Sequence, residues 1–272
     1  MAIPYGVTSM VAPLEHVLVQ RPTPAFAAAF EDPACGYLHP VDLEVAVKEH
    51  DSFCELLTSL GVAVHQLDAD SPHPDQVYTY DPALVTAQGA ILLRSGKPNR
   101  RGEERFLEEW FRANDIPIRG RIVAPGTVDG GDLLWLRPGL VAIGRSLRTN
   151  QAGIDQLVPM LDEEVRVFDL PYAGGPHACL HLMSTISMIT ENIAVVELPR
   201  RPAGLHSLLT DLGVDLIDTP SEEVDSLGTN VLAVRPGVAV AVAGNHRTQR
   251  RLEARGIAVH TFAGDEIAIN GT

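Results

Sequence analysis

The chain has 272 residues, of which 45% are hydrophobic and 21% are charged, and its formal net charge is −14. This composition predicts one folded domain over residues 1–272 and excludes intrinsic disorder. Because the chain has no basic block, it is not expected to bind nucleic acid. Its apolar runs, such as Val231–Val234, are far shorter than the roughly 20 residues of a membrane span. Three cysteines and a start without a leader-like pattern predict a cytoplasmic protein.

A repeat of about 50 residues organises the chain. Turn signals inside predicted β-hairpins recur at Gly89, Gly139, Asn192 and Gly237, and each hairpin is followed by a helical pattern and another strand. The first expected unit is strand 17–19, helix 41–60 and strand 62–67, and the second is strands from 77 and at 90–93, helix 103–113 and strand 116–118. The third is strands 132–136 and 140–143, helix 149–160 and strand 165–168, and the fourth is strands 182–189 and 193–198, helix 202–212 and strand 214–217. The fifth is strands 230–234 and 238–242, helix 246–255 and strand 257–259. Gly256 is expected to form a left-handed C-cap.

The repeat predicts an α/β fold. A unit with short strands and one amphipathic helix cannot bury its own apolar face, so units must pack on one another or close into a ring. We favour a closed β/α ring over the alternative, an ordinary doubly wound α/β sheet.

The first candidate site segment runs from Asp75 to Pro82. Strand alternation predicts that Asp75 and Asp81 share one face. A carboxylate at Asp81 could form two hydrogen bonds with a planar cation. The alternative is an Asp-Pro turn cap.

The second candidate segment is Asp129-Gly130-Gly131-Asp132. Paired glycines allow the backbone to approach a ligand closely. The spacing of a calcium-binding loop is absent. A surface turn and a binding site both remain open interpretations.

The third candidate segment is a glycine-rich entry into an apolar run, and His177, Cys179 and His181 would share one face if it forms a strand. Three interpretations remain open: a zinc site, a core histidine at 181, or a general acid/base at 181. Arg94 and Arg148 add two guanidinium groups that could bind a carboxylate; arginines at such positions also solvate a sheet edge or cap a helix.

Taken together, in this order, the segments resemble the guanidine-modifying superfamily of arginine deiminases, dimethylarginine dimethylaminohydrolases and amidinotransferases. The matching pieces are Asp75–Asp81, Asp129–Asp132, Gly144-Arg145-Ser146-Leu147-Arg148-Thr149-Asn150 and Leu180-His181-Leu182. The resemblance covers essentially the whole chain and implies a five-bladed β/α propeller (pentein).

The resemblance also implies roles for individual residues. Its catalytic residues would be His181, as general acid and base, and Asp129, which would orient the histidine and touch the substrate. The remaining residues would bind substrate: Asp81 the guanidinium, Asp75 the α-amino group, and Arg94 and Arg148 the α-carboxylate. Met183 stands where deiminases carry an acid, which favours the dimethylargininase-like or amidinotransferase branch.

The implied activity is hydrolysis of the guanidinium of arginine or a methylated arginine through a cysteine thiouronium, with no metal or organic cofactor. The family's nucleophilic cysteine lies in a C-terminal glycine-rich segment that residues 1–272 do not contain, so we expect this stretch to be inactive alone. Cys179 is too close to His181 along the chain to substitute, and Cys35 and Cys54 are expected to be ordinary buried thiols. The expected partner is a small guanidino substrate, with no nucleic acid and no membrane, and a homodimer is compatible with the sequence.

Three other functions remain open. An amidinotransferase would use the same residues and pass the amidino group to an amine. A non-catalytic pentein binding module, such as the ribosomal anti-association factor, would favour a basic face, and the net charge of −14 argues against it. A zinc hydrolase would use His177 and His181.

Overall fold

A computed structural model describes residues 3–173, 175 and 180–271 of the chain. Its strands are β1 (His16–Val19), β2 (Ala63–Gln66), β3 (Ala83–Thr86), β4 (Gly89–Leu92), β5 (Ile118–Arg121), β6 (Leu133–Arg137), β7 (Leu140–Arg145), β8 (Glu164–Asp169), β9 (Ile186–Thr190), β10 (Ile193–Val196), β11 (Asp215–Asp218), β12 (Val231–Arg235), β13 (Val238–Val242) and β14 (Ala258–Phe262). Its helices are α1 (Pro24–Ala27), α2 (Leu43–Ser59), α3 (Glu103–Ala113), α4 (Gln151–Leu157), α5 (Leu182–Thr185), α6 (Ala203–Asp211) and α7 (His246–Glu253).

The strands form small sheets that repeat one topology. In each three-stranded sheet an antiparallel hairpin is followed by a helix and a third strand parallel to the hairpin's second strand. The hairpins β3–β4, β6–β7, β9–β10 and β12–β13 build four such sheets, and β1 pairs with β2 in parallel to form a two-stranded sheet. The α/β class predicted from the repeat is therefore confirmed.

Glycines lie next to the repeated elements where the chain must turn sharply. Gly89 has a φ of +124°, and a Cβ there would lie 2.3 Å from the carbonyl oxygen of Pro117 on the neighbouring segment. Gly256 follows α7 with a φ of 79°, as predicted for a left-handed cap. At the other end of a helix, the Asp42 carboxylate accepts hydrogen bonds from the backbone of Glu44 and Val45 and starts α2.

The apolar core lies between neighbouring sheets. Each successive pair of units shares a cluster of buried side chains, for example Leu84 and Ile91 with Leu133 and Trp135 between the second and third units. The first unit also packs on the last. The side chains that make this contact are Leu57, Val62, Val234 and Val240, and the backbone N–H of Leu14 donates to the carbonyl of Val234 at 2.8 Å.

Three predicted strands are wrong in part, and one of them, predicted at 116–118, is observed as β5 at Ile118–Arg121. Residues Pro74–Val77 form a short 3₁₀ turn, so Asp75 and Asp81 do not share a strand face. Pro74, whose fixed φ suits the first position of a helical turn, favours this conformation. The predicted strand 182–189 begins with the helical turn α5, and strand β9 starts only at Ile186. In the described part of the chain, no helix is long and apolar enough to cross a bilayer.

Glu223, which is not part of helix α7, caps the N-terminal turn of that helix. Its carboxylate accepts hydrogen bonds from the backbone N–H of Arg247 and from the backbone and hydroxyl of Thr248, at 2.7–2.8 Å. Burial opposes ionisation of Glu223, but these hydrogen bonds outweigh it and lower its pKa. A carboxylate with a lowered pKa stabilises the fold above its unfolded-state pKa, and this contribution disappears as the pH falls through the folded-state value.

We expect Glu223→Ala to lower the free energy of unfolding at pH 7 by about 1–2 kcal/mol, the usual cost of a lost cap. The difference from wild type should shrink as the pH falls below the unfolded-state pKa of about 4.3 and through the lower folded-state pKa. Urea unfolding at pH 7 and pH 3 measures both effects, with Glu253→Ala at the exposed end of α7 as control. A pH-independent difference would contradict this account of the cap.

Candidate active site

Asp81 stands just before strand β3 and faces two different donors. Its Oδ1 accepts the backbone N–H of Gly131 at 2.8 Å, and its Oδ2 lies 2.5 Å from Nη1 of Arg100. The side chain is 14% exposed. Burial opposes its ionisation, but Arg100, His181 and the Gly131 N–H outweigh burial and lower the pKa of Asp81 to about 2. Asp81 is therefore an anion at neutral pH, with lone pairs left to accept further hydrogen bonds.

Asp132 repeats the arrangement of Asp81 in the next unit. It precedes strand β6 as Asp81 precedes β3, and its Oδ1 accepts the backbone N–H of Leu182 at 2.9 Å. Its Oδ2 accepts the hydroxyl of Ser146 at 2.6 Å, and the residue is fully buried. Burial raises its pKa. Asp132 thus fixes the start of α5, the turn that immediately follows His181.

His181 meets a second buried acid. Its Nε2 lies 3.4 Å from Oδ2 of Asp129, whose side chain is 0% exposed. The other oxygen of Asp129 accepts the backbone N–H of Gly96 at 2.9 Å, and the Asp129 N–H donates to Thr149 at 3.1 Å. A carboxylate held in this way orients an imidazole and stabilises the positive charge it carries when protonated.

The paired glycines bring these groups together. A Cβ on Gly131 would lie 2.5 Å from Nδ1 of His181, and a Cβ on Gly130 would lie 2.1 Å from the carbonyl oxygen of Tyr80. Both glycines are buried, which excludes the surface-turn interpretation. Gly131 therefore lies close to both side chains, because its N–H donates to Asp81 and its Cα adjoins the His181 ring.

We expect Gly131→Ala to displace the His181 ring and to lower kcat/KM by about 10²-fold, since small misplacements of catalytic groups have effects of this size. Steady-state kinetics of the full-length protein measure the loss. Gly204→Ala in α6, where the new Cβ would meet Phe168 at an ordinary 3.5 Å, is the matched control and should leave activity unchanged. Equal activity of the two variants would show that the close approach of Gly131 to His181 has no role in turnover.

The two predicted arginines lie on the Asp129 side of this cluster. Nη1 of Arg148 is 4.0 Å from Oδ2 of Asp129. A Cβ on Gly96 would lie 2.3 Å from the backbone oxygen of Arg148, so the segment after Arg94 crosses that loop closely. Nη1 of Arg94 donates to the carbonyl of Gly126 at 3.1 Å. Their binding of a carboxylate stays a prediction.

Asp75 is placed differently from the other acids. It is 3% exposed, its Oδ2 lies 2.7 Å from Nζ of Lys97, and its Oδ1 accepts the hydroxyl of Tyr37 at 3.0 Å. Its carboxylate is thus already paired with an ammonium group of the chain itself. The predicted contact with a substrate amino group stays a prediction.

Sequence reasoning missed Arg100 and Glu103. Arg100 donates to both Glu103 oxygens, to Asp81, and to the carbonyls of Asp75 and Tyr78. Burial raises the pKa of Glu103 to about 7, although Arg100 opposes the shift. The i, i+3 spacing of an arginine and a glutamate at the start of α3 was the available signal, but such pairs are usually solvated.

The two cysteines in the described part of the chain, Cys35 and Cys54, each contact a polar side chain. Sγ of Cys35 accepts a hydrogen bond from Asn99 at 3.1 Å, and Cys54 lies 3.7 Å from Nδ1 of His50. Burial raises the pKa of both thiols, which disfavours the nucleophilic thiolate. His177 and Cys179 lie outside the described residues; within the described ranges, no three His, Cys, Asp or Glu side chains are grouped to hold a metal ion.

The chain is similar in sequence and structure to several named enzymes. It is 27% identical to the N(G),N(G)-dimethylarginine dimethylaminohydrolase of Pseudomonas aeruginosa over 253 residues, which cover 90% of this chain and 91% of that protein. It is 33% identical to the arginine deiminase of Mycobacterium avium over 231 residues, covering 72% of this chain and 57% of that protein. The structure of a Cys-to-Ser mutant of the Pseudomonas enzyme complexed with citrulline matches with a TM-score of 0.80, at 25% identity and 96% coverage of both chains.

The family assignment agrees with the fold and the site. The model of the arginine deiminase family matches residues 71–199 and 202–270. These ranges contain Asp81, Asp129, His181 and both predicted arginines. The chain therefore belongs to the arginine deiminase family, within the guanidine-modifying superfamily.

Proposed function

We propose that this protein hydrolyses a C–N bond of the guanidinium group of arginine or a methylated arginine, giving a citrulline-type ureido product and an amine. The observation that carries the proposal is the buried Asp129–His181 pair, with 3.4 Å between Oδ2 and Nε2, beside the ionised Asp81. Relatives named as dimethylarginine dimethylaminohydrolase and arginine deiminase support it.

Two carboxylates would bind the cationic end of the substrate. Asp81 keeps acceptor capacity beyond its bonds to Gly131 and Arg100, and Oδ2 of Asp129 lies within 3.4 Å of His181. Guanidinium is planar and suits carboxylates held at fixed positions. Arg94 and Arg148 would hold the carboxylate at the far end of the substrate, and Asp75, whose Oδ2 lies 2.7 Å from Nζ of Lys97, would meet the α-amino group.

The chemistry would proceed in two halves. A cysteine thiolate attacks the central guanidinium carbon, and the C–N bond breaks as protonated His181 gives its proton to the departing amine. The neutral imidazole then takes a proton from water, and the resulting hydroxide attacks the thiouronium carbon. Cleavage of the C–S bond returns the thiolate and releases the ureido product. Neither half needs a metal or an organic cofactor, since the carbon is already electrophilic and Asp81 and Asp129 balance its charge.

The proposed thiol is neither Cys35 nor Cys54. Sγ of Cys35 accepts a hydrogen bond from Asn99, Sγ of Cys54 lies 3.7 Å from Nδ1 of His50 on the same helix, and burial raises the pKa of both thiols. We propose a cysteine outside the described residues as the nucleophile.

We also propose that the repeated units close into a five-bladed β/α propeller within a single domain. The packing of the first unit on the last supports this closure. The Glu49 carboxylate on α2 adds a second link, because it accepts the backbone N–H groups of Asp265, Glu266 and Ile267. A ring would bring the loops that carry Asp81, Asp129 and His181 to one end of a common axis.

The test is turnover by the full-length protein in ¹⁸O-labelled water with arginine, methylated arginines and guanidino acids. We expect a ureido product that carries one ¹⁸O atom, together with free amine, measured by mass spectrometry. Transfer of the amidino group to an added amine, without a ureido product, would make the protein an amidinotransferase instead. No reaction with any guanidino compound would overturn the proposal and favour a binding module.

A further inference from the structure

Arg100 links Asp81 to a second buried carboxylate, that of Glu103. Nε of Arg100 donates to both carboxylate oxygens of Glu103 at 3.0 Å, and Nη2 donates to Oε2 of Glu103 at 2.8 Å. Nη1 of the same guanidinium lies 2.5 Å from Oδ2 of Asp81. The Arg100 side chain is 6% exposed and the Glu103 side chain is 1% exposed. One guanidinium of the chain is therefore shared between the carboxylate proposed to bind substrate and a carboxylate that solvent hardly reaches.

A third acid and a second cation complete this group, which we call the Arg100 cluster. Oδ2 of Asp75 lies 3.8 Å from Nε of Arg100 and 2.7 Å from Nζ of Lys97. With every group ionised, the three carboxylates Asp75, Asp81 and Glu103 face two cations, and the cluster has one negative charge in excess. When Glu103 is protonated, this excess disappears.

Two further titratable side chains adjoin the first turn of α3, which carries Glu103. Oε2 of Glu104 accepts the backbone N–H of Gly102 at 2.8 Å. Nε2 of His73 would lie 3.0 Å from a Cβ on Gly102. Both side chains thus lie at the residue that precedes Glu103, whereas Arg100 contacts its carboxylate directly.

The surroundings of Glu103 hold it close to neutrality of charge at physiological pH. Burial raises the pKa of Glu103 to about 7, and the neighbouring carboxylates of Asp75 and Asp81 add to the rise. Arg100 opposes it. A cation that arrives next to this cluster would favour the ionised form of Glu103.

A substrate guanidinium on Asp81 would be the second guanidinium on that carboxylate. Asp81 keeps lone pairs to accept it, but Arg100 and the substrate would repel each other while sharing one negative charge. An ionised Glu103 supplies the second negative charge, so that each guanidinium has a counter-charge. A protonated Glu103 would leave the charge of Asp81 committed to Arg100.

We propose that Glu103 is a positioning residue that acts through Arg100: by neutralising Arg100, it leaves the charge of Asp81 for the guanidinium of the substrate. The proposal rests on the proposed function, because it concerns the same guanidinium site, and it applies to arginine and to methylated arginines alike. Substrate binding is then coupled to loss of the Glu103 proton, so the substrate binds more tightly as the pH rises through the pKa of Glu103.

The first test follows the Glu103 carboxyl group by ¹³C NMR in the full-length His181→Asn protein, with glutamate labelled at Cδ. This variant is expected to turn over slowly, and it has no imidazole at residue 181 to titrate. We expect one glutamate to titrate near pH 7 instead of near the usual value of about 4.3. Saturation with arginine or a methylated arginine, whichever has the higher wild-type kcat/KM, should lower that pKa by about one unit.

The second test measures the consequence for the substrate in an otherwise wild-type full-length protein. Glu103→Gln should raise KM at pH 8 by about tenfold and change kcat by less than about threefold, the pattern of lost ground-state binding. Glu109→Gln removes a charge from an exposed position on the same helix. It is the matched control and should leave both constants unchanged.

The outcomes separate the two proposals. If the wild-type protein turns over neither arginine nor a methylated arginine, the proposed function fails. If it turns one of them over, but no glutamate titrates near pH 7 or the bound substrate leaves that pKa unchanged, the inference about Glu103 alone is overturned. A folded Glu103→Gln variant with the wild-type KM would also overturn it.

Discussion

His181→Asn in the full-length protein is expected to lower kcat/KM by about 10²–10⁴-fold, the usual contribution of a general acid/base. An asparagine side chain is close in size to the imidazole but cannot give a proton to the departing amine or take one from water. The loss should appear in kcat at saturating substrate, because Asp81 and Asp129 remain to bind the guanidinium. Steady-state kinetics on the best wild-type substrate measure it.

A matched control separates catalysis from folding. His206→Asn changes the same residue type at an exposed position on α6 and should leave both kcat and the unfolding midpoint unchanged. If His181→Asn retained wild-type kcat, His181 would not be the proton carrier.

Arg100→Met is expected to lower the free energy of unfolding by about 3–5 kcal/mol, the typical cost of removing one partner of a buried ion pair. Arg100 forms close ion pairs with two acids, Asp81 and Glu103, its Nε also lies 3.8 Å from Oδ2 of Asp75, and its own side chain is 6% exposed. Methionine fills part of the volume but leaves both carboxylates without their counter-charge. Urea unfolding followed by circular dichroism measures the difference.

The control is an arginine whose ion pair lies in solvent. Arg112 on α3 pairs with Glu108 at 2.8 Å, but its side chain is 64% exposed. We expect Arg112→Met to change stability by about 0–1 kcal/mol, as is usual for surface pairs. Equal destabilisation by the two variants would mean that burial does not increase the contribution of the Arg100 ion pairs to the free energy of unfolding.

The repeat and the helices could be predicted because their signals are local. Helix α3 has the predicted bounds, Glu103–Ala113, since acids in its first turn and an apolar stripe lie within eleven residues. The hairpin turns follow from turn residues, three glycines and Asn192, that recur about every 50 residues. These features depend on residues that are neighbours in the chain.

The conformations next to the site could not be predicted in this way. The turn α5 begins where the N–H of Leu182 binds Asp132, fifty residues earlier, while the apolar run itself suggests a strand. The segment before Asp81 is fixed by Arg100, which donates to the carbonyls of Asp75 and Tyr78. Contacts between distant residues override local patterns at both places.

The sequence indicates a pairing of Asp129 with His181 but not the residues that support them. Asp129 and His181 were paired on the strength of the family resemblance, and the structure places them 3.4 Å apart. The occupation of Asp75 by Lys97 and the Arg100–Glu103 pair had no distinct sequence signal. Charged residues near glycines and prolines usually indicate a solvated loop.

The central claim is that Asp81 and Asp129 hold a guanidinium beside His181. A crystal structure of the full-length His181→Asn variant with its best guanidino substrate tests this claim most directly. We predict guanidinium nitrogens within about 3.2 Å of carboxylate oxygens of both Asp81 and Asp129. A guanidinium group bound away from both carboxylates would contradict the claim.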